Sequence, residues 1–466
     1  MVFMRNKVFT SKVVTILLLI PLFAGCNAPK SQLEVFNGYF RSSDYAKSLE
    51  FACSKIGKGQ NPGREDLLWS LQAGSVERLQ HNYQKSAEYF DKSEEMLKYF
   101  DLQSSIGDTA AATIINDNAM PYKGEDYDGI MVNTYKALNF MISKNDELAR
   151  VEFNRAMDRQ RRAKEKFARE INKLKEEIEK EQQAKSPTLK DNIENPQIKQ
   201  LISQRYAGLY EFEAYPDFVN PFSTYLAGIY FNLAGDHSKA VDLLKEAYGM
   251  VQNNQYIAED LAATEKILDG GAKLNNTVWV VFENGLGPVK EEFRIDLPLF
   301  IVTNKVKYVG IALPKLAFRE QAYPYLSIKA DANEYKTELV ANMDRVVQTE
   351  FNKDFNIILT RAIISATAKA IAQYAIQEQD SSAASFASIL MAVYSFATTA
   401  ADVRIWTALP KDFQVARFRM PNDRRITIIP PGGIVFDIQI PDCSNAVVYI
   451  RMPFKEAMPV YDVITY

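Results

Sequence analysis

The two histidines are the residues best suited to exchange protons near neutral pH, and their positions argue against catalysis. His81 and His237 both stand at the expected turn of a helix pair, where a polar side chain is simply solvated. Zinc sites need clustered Cys and His ligands, and the sequence contains no such cluster. We therefore expect no metal site and no histidine-based chemistry.

Other motifs that carry chemistry are also missing from the sequence. It has no Gly-x-Ser-x-Gly elbow, P-loop, His-Glu-x-x-His or Ser-x-x-Lys set. The stretch Gly285-Leu286-Gly287 lacks the third glycine and the helix of a dinucleotide fingerprint, so it indicates a hairpin turn. Glu291, Glu292 and Asp402 are acids near expected strands, but pairing of Asp402 with Arg404 is a simpler interpretation than paired-carboxylate catalysis. The sequence predicts no enzyme and no cofactor.

Cys26 is the residue whose surroundings do indicate chemistry. Arg5, Lys7 and Lys12 precede or flank an apolar run over 13–23, and small residues lead into the cysteine. A short cationic region, an apolar stretch too short for a mature membrane span and small residues before a cleavage point are typical of a secretory signal.

The ending Leu22-Phe23-Ala24-Gly25-Cys26 resembles the lipobox of bacterial lipoproteins. In that family the cysteine is acylated and becomes the new N-terminus, so the resemblance implies a signal peptide over 1–25 and a lipid tether at Cys26. An ordinary signal peptide or an N-terminal anchor helix is the alternative. Asn27 replaces the Asp that favours inner-membrane retention in enterobacterial lipoproteins, which implies the outer membrane with the body facing the periplasm.

Composition limits the classes of partner. The chain of 466 residues has a formal net charge of -3 and no basic run, which argues against nucleic-acid binding. Its 47% apolar residues can form large cores in two or three domains, and no small-molecule substrate is evident. Besides Cys26 there are only Cys53 and Cys443, which either form a disulfide or are two separately buried thiols.

Residues 26–270 have helical periodicity, and the stretch Pro221–Tyr248 resembles a tetratricopeptide repeat (TPR). Four residues fall at the small positions of that motif: Gly228, Gly235, Ala240 and Ala247. Weaker copies surround Ala137 and Tyr45. TPR pairs present a concave surface to peptides or partner helices. We expect that surface to include Tyr225, Gly228, Tyr230, Ala240 and Leu244; a plain helical bundle without a groove is the alternative.

A long charged helix is expected near 150–185, with a narrow apolar stripe over 167–178 at coiled-coil spacing. From residue 275 to 466 the period changes to that of strands, around a helical insertion at about 335–401. The part Ser381–Ala401 carries no charge, so it either packs against Ala362–Ile376 or inserts into a membrane. The sequence thus predicts an α+β chain: an N-terminal TPR-like helical domain followed by an antiparallel β-sandwich-like domain with an inserted helical hairpin.

The tail carries a further resemblance. Together with the lipobox and the TPR-like helices, four stretches resemble an uncharacterised family of bacterial outer-envelope lipoproteins: Phe282–Gly285, Gly287–Lys290, Asp402–Trp406 and Leu409-Pro410. The resemblance covers nearly all of the mature chain. That family has no established activity, and its members tend to be encoded beside lipoproteins that activate cell-wall synthases. The resemblance therefore implies location and architecture more than mechanism.

Two functions of different class are consistent with these patterns. The first is a lipid-tethered interaction scaffold or assembly factor for other envelope proteins, which would use the TPR-like surface. The second is a membrane-active or oligomeric assembly component that uses Ser381–Ala401, or a regulator of cell-wall synthesis. A carbohydrate-binding β domain would use Trp279 and Trp406, although core packing explains these aromatic residues more simply.

Overall fold

The computed structural model describes residues 28–59, 61–107, 120–184, 191–192, 194–206, 220–272, 274–302, 305–377 and 400–466. Cys26, the predicted signal peptide and residues 381–399 of the uncharged segment lie outside these ranges. The predicted apolar stripe over 167–178 belongs to a helix whose side chains are not described there.

Helices precede the first strand in the described part of the chain, as the helical period predicts. They are α1 Ala28–Arg41, α2 Tyr45–Lys55, α3 Asp66–Leu79, α4 Tyr83–Gly107, α5 Asp126–Ile142, α6 Asp146–Ala184, α7 Pro196–Arg205, α8 Pro221–Leu233, α9 His237–Met250 and α10 Gln255–Leu268. The charged helix predicted near 150–185 is α6, which begins at Asp146. The segment 190–200, whose polar sequence suggests a linker, overlaps α7, and Asn195 is the N-cap of that helix.

The turns of four helix pairs, α1–α2, α3–α4, α5–α6 and α8–α9, are built in the same way. Each contains one residue with positive φ: Ser43, His81, Lys144 or Gly235. The next residue donates its backbone N–H to the carbonyl five positions earlier, at 2.8 to 3.0 Å: Asp44, Asn82, Asn145 or Asp236. This bond ends the first helix as a Schellman motif does, and the same residue precedes the second helix. Each pair therefore folds back as an antiparallel hairpin.

Small residues at matching positions close these hairpins. Gly74, Ala137 and Gly228 lie seven positions before the positive-φ residue, and the buried Ser86, Ala149 and Ala240 lie five positions after it. A Cβ on Gly74 would lie 2.6 Å from the ring of Phe90, and one on Gly228 would lie 2.9 Å from Leu244. The close approach of the helices thus requires glycine there. This spacing of small residues is that of a TPR, so the helical half is TPR-like in its local geometry.

The described residues of the C-terminal half contain one long helix and eleven strands. They are β1 Thr277–Asn284, β2 Val289–Val302, β3 Lys305–Ala317, β4 Ser327–Ala330, β5 Asn333–Lys336, β6 Glu338–Asn342, α11 Met343–Gln377, β7 Asp412–Arg419, β8 Arg425–Ile429, β9 Phe436–Gln439, β10 Asn445–Met452 and β11 Val460–Thr465. The chain is therefore α+β, with a helical N-terminal half and a β-rich C-terminal half.

The strands form three sheets. A five-stranded sheet has the order β11-β10-β1-β7-β6, a four-stranded sheet has the order β5-β4-β8-β9, and β2 pairs with β3 alone. All pairs are antiparallel except β1–β10, in which Thr277 lies opposite Asn445 in a parallel register. The sequence predicts antiparallel pairing throughout, and the parallel β1–β10 pair is the exception among the described strands.

The five-stranded sheet is the middle of three layers. Trp279 and Glu283 of β1 point to the helices, where they bond to Asp260 and Tyr135. On the opposite face, the ring of Phe418 stacks on Tyr335 of the four-stranded sheet, with centroids 4.8 Å apart. All eight residues of β1 are buried. A strand that is covered on both faces has apolar residues at nearly every position, and the sequence of β1 has this pattern.

The predicted helical insertion begins later than its sequence indicates. Residues 333–342, expected to start the helix, form β5 and β6, and α11 begins at Met343. The local hairpin with β4 and the long-range pairing with β7 supply hydrogen bonds that override the helical preference of these residues. Residues 403–406, whose local sequence is that of a strand, belong to no helix and no sheet. The second helix of the predicted hairpin falls mainly on residues that the structure does not describe.

Helix α11 and the β2–β3 hairpin pack together and form what we call the arm. Phe355 of α11 lies 4.6 Å from the ring of Tyr206, which in turn packs edge-on against Phe293 of β2. The arm is joined to the helical half where Glu350 accepts the backbone N–H of Asp126, at 2.6 Å. Across the described ranges, no helix is both long enough and apolar enough to cross a membrane.

Candidate interaction site

The five residues predicted to line an interaction surface are buried. Tyr225, Tyr230, Ala240 and Leu244 each expose at most 1% of their surface, and Gly228 packs on Leu244. Tyr225 donates its hydroxyl to Asp260 of α10 at 2.7 Å, and Tyr230 donates to the carbonyl of Asp146 on α6 at 2.6 Å. These side chains hold α6, α8, α9 and α10 together. They do not form an open surface, so this prediction disagrees with the structure.

The first helices of three hairpins are buried on every side. All of α3 is buried, as are nearly all of α5 and α8, whereas the second helices α4 and α9 keep exposed faces. A helix buried all round must have packing partners on every side. The first helices are the ones that would line the concave face of stacked TPR hairpins. Here that face is covered by the five-stranded sheet and by residues 402–409, which we call the strap.

Trp406 is the centre of the strap. Its ring centroid lies 5.7 Å from that of Phe90 and 5.9 Å from that of Tyr135, and it exposes only 1% of its surface. Its indole N–H donates to Ser75 Oγ on α3 at 2.9 Å. The tryptophan therefore fills the space between the second and third hairpins.

The backbone of the strap is held by side chains instead of by neighbouring strands. Gln72 of α3 donates to Thr407 Oγ1 at 2.9 Å and accepts the N–H of Ala408 at 3.2 Å. Arg319 donates to the carbonyl of Thr407 at 2.5 Å, and Arg451 donates to that of Ala408 at 3.1 Å. Burial lowers the pKa of Arg319 to about 9, because the charged guanidinium loses water. Side chains of α3, of β10 and of the loop after β3 thus hold the strap against the concave face.

Arg404 fixes the beginning of the strap. It forms an ion pair with Asp402 at 2.6 Å, which is the pairing expected from the sequence. It also donates to the carbonyl of Met120 at 2.9 Å. Because Asp402 is engaged in this way, it is a structural acid in the strap.

Glu283 joins the sheet to the helices behind the strap. It accepts the hydroxyl of Tyr135 at 2.6 Å and that of Tyr449, and it lies 3.0 Å from Arg451. The guanidinium of Arg78 lies 4.6 Å from the ring centroid of Tyr135. The space left between these side chains is about the size of a water molecule. The network is therefore a polar joint between layers, with no room for a substrate.

The remaining chemical candidates have structural surroundings. His81 and His237 lie at the hairpin turns, as predicted, and contact Tyr83 OH at 2.7 Å and Asn232 Oδ1 at 2.9 Å. Among the residues that the structure describes, no three His, Cys, Asp or Glu side chains are grouped to hold a metal. Cys53 and Cys443 are separate thiols.

The two tryptophans considered for carbohydrate binding do not form a sugar platform. Trp279 and Trp406 are each 1% exposed, and Trp279 donates its indole N–H to Asp260 at 3.0 Å. Stacking on a sugar needs an exposed aromatic face. Their role is in the core, as the simpler interpretation of the sequence states.

No protein-family model and no curated protein sequence matches the chain. Among solved structures, a similarity is found to the crystal structure of a tetratricopeptide repeat protein from Parabacteroides merdae. The two sequences are 13% identical, and the alignment covers 51% of this chain and 99% of that chain with a TM-score of 0.14. A TM-score this low carries no argument, so the TPR-like description depends on the hairpin geometry given above.

Proposed function

We propose that the chain is a lipid-anchored protein of the bacterial cell envelope that acts as an interaction scaffold or assembly factor for other envelope proteins. The lipobox-like ending at Cys26 supports the anchor, and Asn27 supports the outer membrane with the body in the periplasm. Because α1 begins at Ala28, the anchor would hold the folded body close to the bilayer.

The observation that carries this proposal is the occupation of the concave TPR-like face by the strap and the sheet. The helical hairpins and the β layers share one core, so the body is a preformed unit whose partners meet its outer surfaces. Helix α6 offers such a surface, because it runs for 39 residues and pairs with α9 through Lys164 and Glu246 at 2.8 Å. Partner binding on α6 and α9 replaces the groove binding that the sequence favours.

The surroundings of the buried carboxylates support a role without catalysis. Asp260 is inaccessible to solvent, and burial raises its pKa to about 6 against the opposing effects of Arg417, Tyr225 and Trp279. An acid with a shifted pKa indicates a candidate catalytic site only when it faces a cleft. Asp260 is instead enclosed by its hydrogen-bond partners between the helices and the sheet.

In-cell photo-crosslinking tests the scaffold proposal. A photoreactive residue would replace Arg161 on α6 or Lys245 on α9, and a matched probe would replace Lys329 on the four-stranded sheet; all three residues are exposed. We expect one envelope protein to crosslink from α6 or α9, and the crosslink to be lost in Cys26→Ser. No partner from either helix, with intact folding, would overturn the proposal.

A second candidate function is favoured by the arm. The β2–β3 hairpin pairs with no other strand in the described residues, and Tyr308 on β3 exposes 72% of its surface. An arm of this kind suits an oligomeric or membrane-active assembly component, or a regulator that reaches cell-wall synthases. Crosslinks between copies of the chain from position 308, without a second protein, would favour this function over the scaffold.

A further inference from the structure

Basic residues lie at one end of the α1–α2 hairpin, the end where α1 begins and α2 ends. Lys55, Lys58 and Arg64 occur between positions 54 and 64, and this stretch contains no acidic residue. Lys58 and Arg64 are exposed, while Lys55 is half-buried with its ammonium 4.8 Å from the ring centroid of Phe51. We call these three residues the basic edge.

The basic edge lies beside the first turn of α1. Helices α1 and α2 are antiparallel about the turn at Ser43, and the rings of Tyr39 and Phe51 pack across them with centroids 6.3 Å apart. With 14 and 11 residues, the helices are about 21 and 16 Å long at 1.5 Å per residue. The start of α1 and the end of α2 therefore lie at the same end of the hairpin.

Hydrogen bonds hold the two ends of the loop that carries Lys58. The carboxylate of Asp66 accepts the backbone N–H of Gly57 at 2.8 Å and that of Gly63 at 2.7 Å, which closes the loop against the start of α3. The N–H of Tyr122 donates to the carbonyl of Arg64 at 2.8 Å. Lys58 and Arg64 each follow a glycine whose backbone N–H is bound by Asp66.

The carboxylates at this end are occupied by donors of the chain itself. Glu65 lies 3.2 Å from Arg64 and accepts the indole N–H of Trp69, and Asp66 is buried with its two glycine amides. Within the described ranges, no carboxylate pairs with Lys58. Lys55 and Lys58 therefore carry the positive charge of the edge, because the charge of Arg64 is paired with that of Glu65.

We propose that the basic edge rests on the anionic headgroups of the membrane that holds the acylated Cys26; this inference depends on the anchor in the proposed function. Two residues span at most about 7 Å, so the anchor must bring the start of α1 and the basic edge to the bilayer surface. Each Lys or Arg near an anionic surface strengthens membrane association by roughly fivefold. The contact orients the body with the turns at Ser43 and His81 pointing away from the bilayer.

The test uses the full-length lipoprotein, purified in detergent and reconstituted into vesicles of phosphatidylethanolamine and phosphatidylglycerol, or of phosphatidylcholine alone. Surface lysines are acetylated for short times, and the rates are read residue by residue by mass spectrometry. We expect Lys55 and Lys58 to react roughly fivefold more slowly in the anionic vesicles than in detergent, because an anionic surface both shields a lysine and holds it protonated. High salt should reverse this protection.

Two exposed lysines at the opposite end of the hairpins, Lys47 and Lys85, are the internal control and should react equally in all samples. The double variant Lys58→Gln with Arg64→Gln should restore the labelling rate of Lys55, whereas Lys47→Gln with Lys85→Gln should leave it slow. Equal rates for Lys58 and Lys85 in anionic vesicles, or equal protection of Lys58 in phosphatidylcholine, would overturn the proposal. The same spectra report the mass of Cys26, so a missing acyl group would refute the anchor and is distinguishable from an acylated protein whose basic edge is unprotected.

Discussion

The indole nitrogen of Trp406 lies 2.9 Å from the hydroxyl of Ser75, although 331 positions separate the two residues. This hydrogen bond joins the strap to α3 and therefore the C-terminal half to the helical half. Both residues are buried, and the ring of Phe90 lies against the tryptophan. The concave face of the hairpins is consequently part of the hydrophobic core, which changes where a partner can bind.

Truncation of Trp406 should destabilise the whole chain. Trp406→Ala removes a fully buried ring between two hairpins, and we expect a loss of about 3–5 kcal/mol in the free energy of unfolding. Trp406→Phe keeps most of the ring contact and loses the hydrogen bond, so it should cost about 1 kcal/mol for that bond, plus lost packing. Urea unfolding followed by far-UV circular dichroism would measure both. A helical half that unfolds unchanged in Trp406→Ala would contradict the shared core.

Much of the fold is predictable from local patterns. Helical periodicity, the small residues around Gly228 and the alternating strands are properties of short stretches, and they lead to the α+β class and to the hairpins. The filled concave face depends on a segment more than 300 positions from α3, and residues 403–406 look locally like a strand. One available signal is α8, Pro221–Leu233, because a helix that is apolar all round is buried all round.

The candidate site was less predictable than the fold. The five residues chosen from the TPR resemblance occupy the small and aromatic positions of the motif, and these positions pack the hairpin itself. Gln72, which binds the strap, is one of several polar residues of α3, and its local sequence does not distinguish it from the others. Similarly, β1 and β10 are far apart in sequence. The alternation of residues within each strand does not show whether the two strands pair in parallel or antiparallel.

The glycines at the hairpin seams should be intolerant of even one methyl group. Gly74→Ala places a Cβ 2.6 Å from the ring of Phe90, so we expect a destabilisation of about 1–3 kcal/mol through overpacking. Gly38→Ala is the matched control, because nothing lies within 4 Å of its Cβ on α1. The control should be more stable by up to about 1 kcal/mol, as alanine favours helix. Thermal unfolding would compare them, and equal effects of both changes would argue against close packing at Gly74.

Lys136 should be essential for the contact between α4, α5 and α6. Its ammonium is 1% exposed and lies 2.9 Å from Glu94 and 2.9 Å from Glu152. Burial alone would raise the pKa of Glu94, but Lys136 and then Lys98 lower it to about 2. Lys136→Met leaves two buried carboxylates without this cation, so we expect a loss of about 3–5 kcal/mol.

The control for Lys136 is the exposed partner of the same carboxylate. Lys98 lies 3.2 Å from Glu94 with 58% of its side chain exposed, so Lys98→Met should cost less than about 1 kcal/mol. Denaturant unfolding at neutral pH would measure the difference between the two variants. If both variants lost a similar amount of unfolding free energy, the buried ion pairs of Lys136 would stabilise the chain no more than the exposed pair of Lys98.

Asp128 should make the stability of the chain fall as the pH rises from about 4 to about 7. Burial raises its pKa to about 7, although Tyr122 and the backbone N–H of Glu125 donate to one of its oxygens at 2.7 and 3.0 Å. The folded pKa lies above the unfolded value of about 3.9, so this stabilisation is complete below pH 4 and is lost as the pH approaches 7. Asp128→Asn keeps an oxygen for both donors and cannot ionise. The difference in unfolding free energy between variant and native chain should therefore grow in favour of the variant over this range, by up to about 4 kcal/mol.

The same comparison with a surface aspartate tests whether burial is the cause. Asp437 is exposed, and Thr427 and then Arg425 lower its pKa, so its contribution has the opposite sign and is lost as the pH falls. Asp437→Asn should show no gain over the native chain between pH 4 and 7. Asp260 and Asp344, whose pKa values are also raised by burial to about 6, are unchanged in both variants, so their effect cancels in each difference. If the stability curves of Asp128→Asn and the native chain ran parallel from pH 4 to 7, the carboxyl of Asp128 would not be the group that titrates.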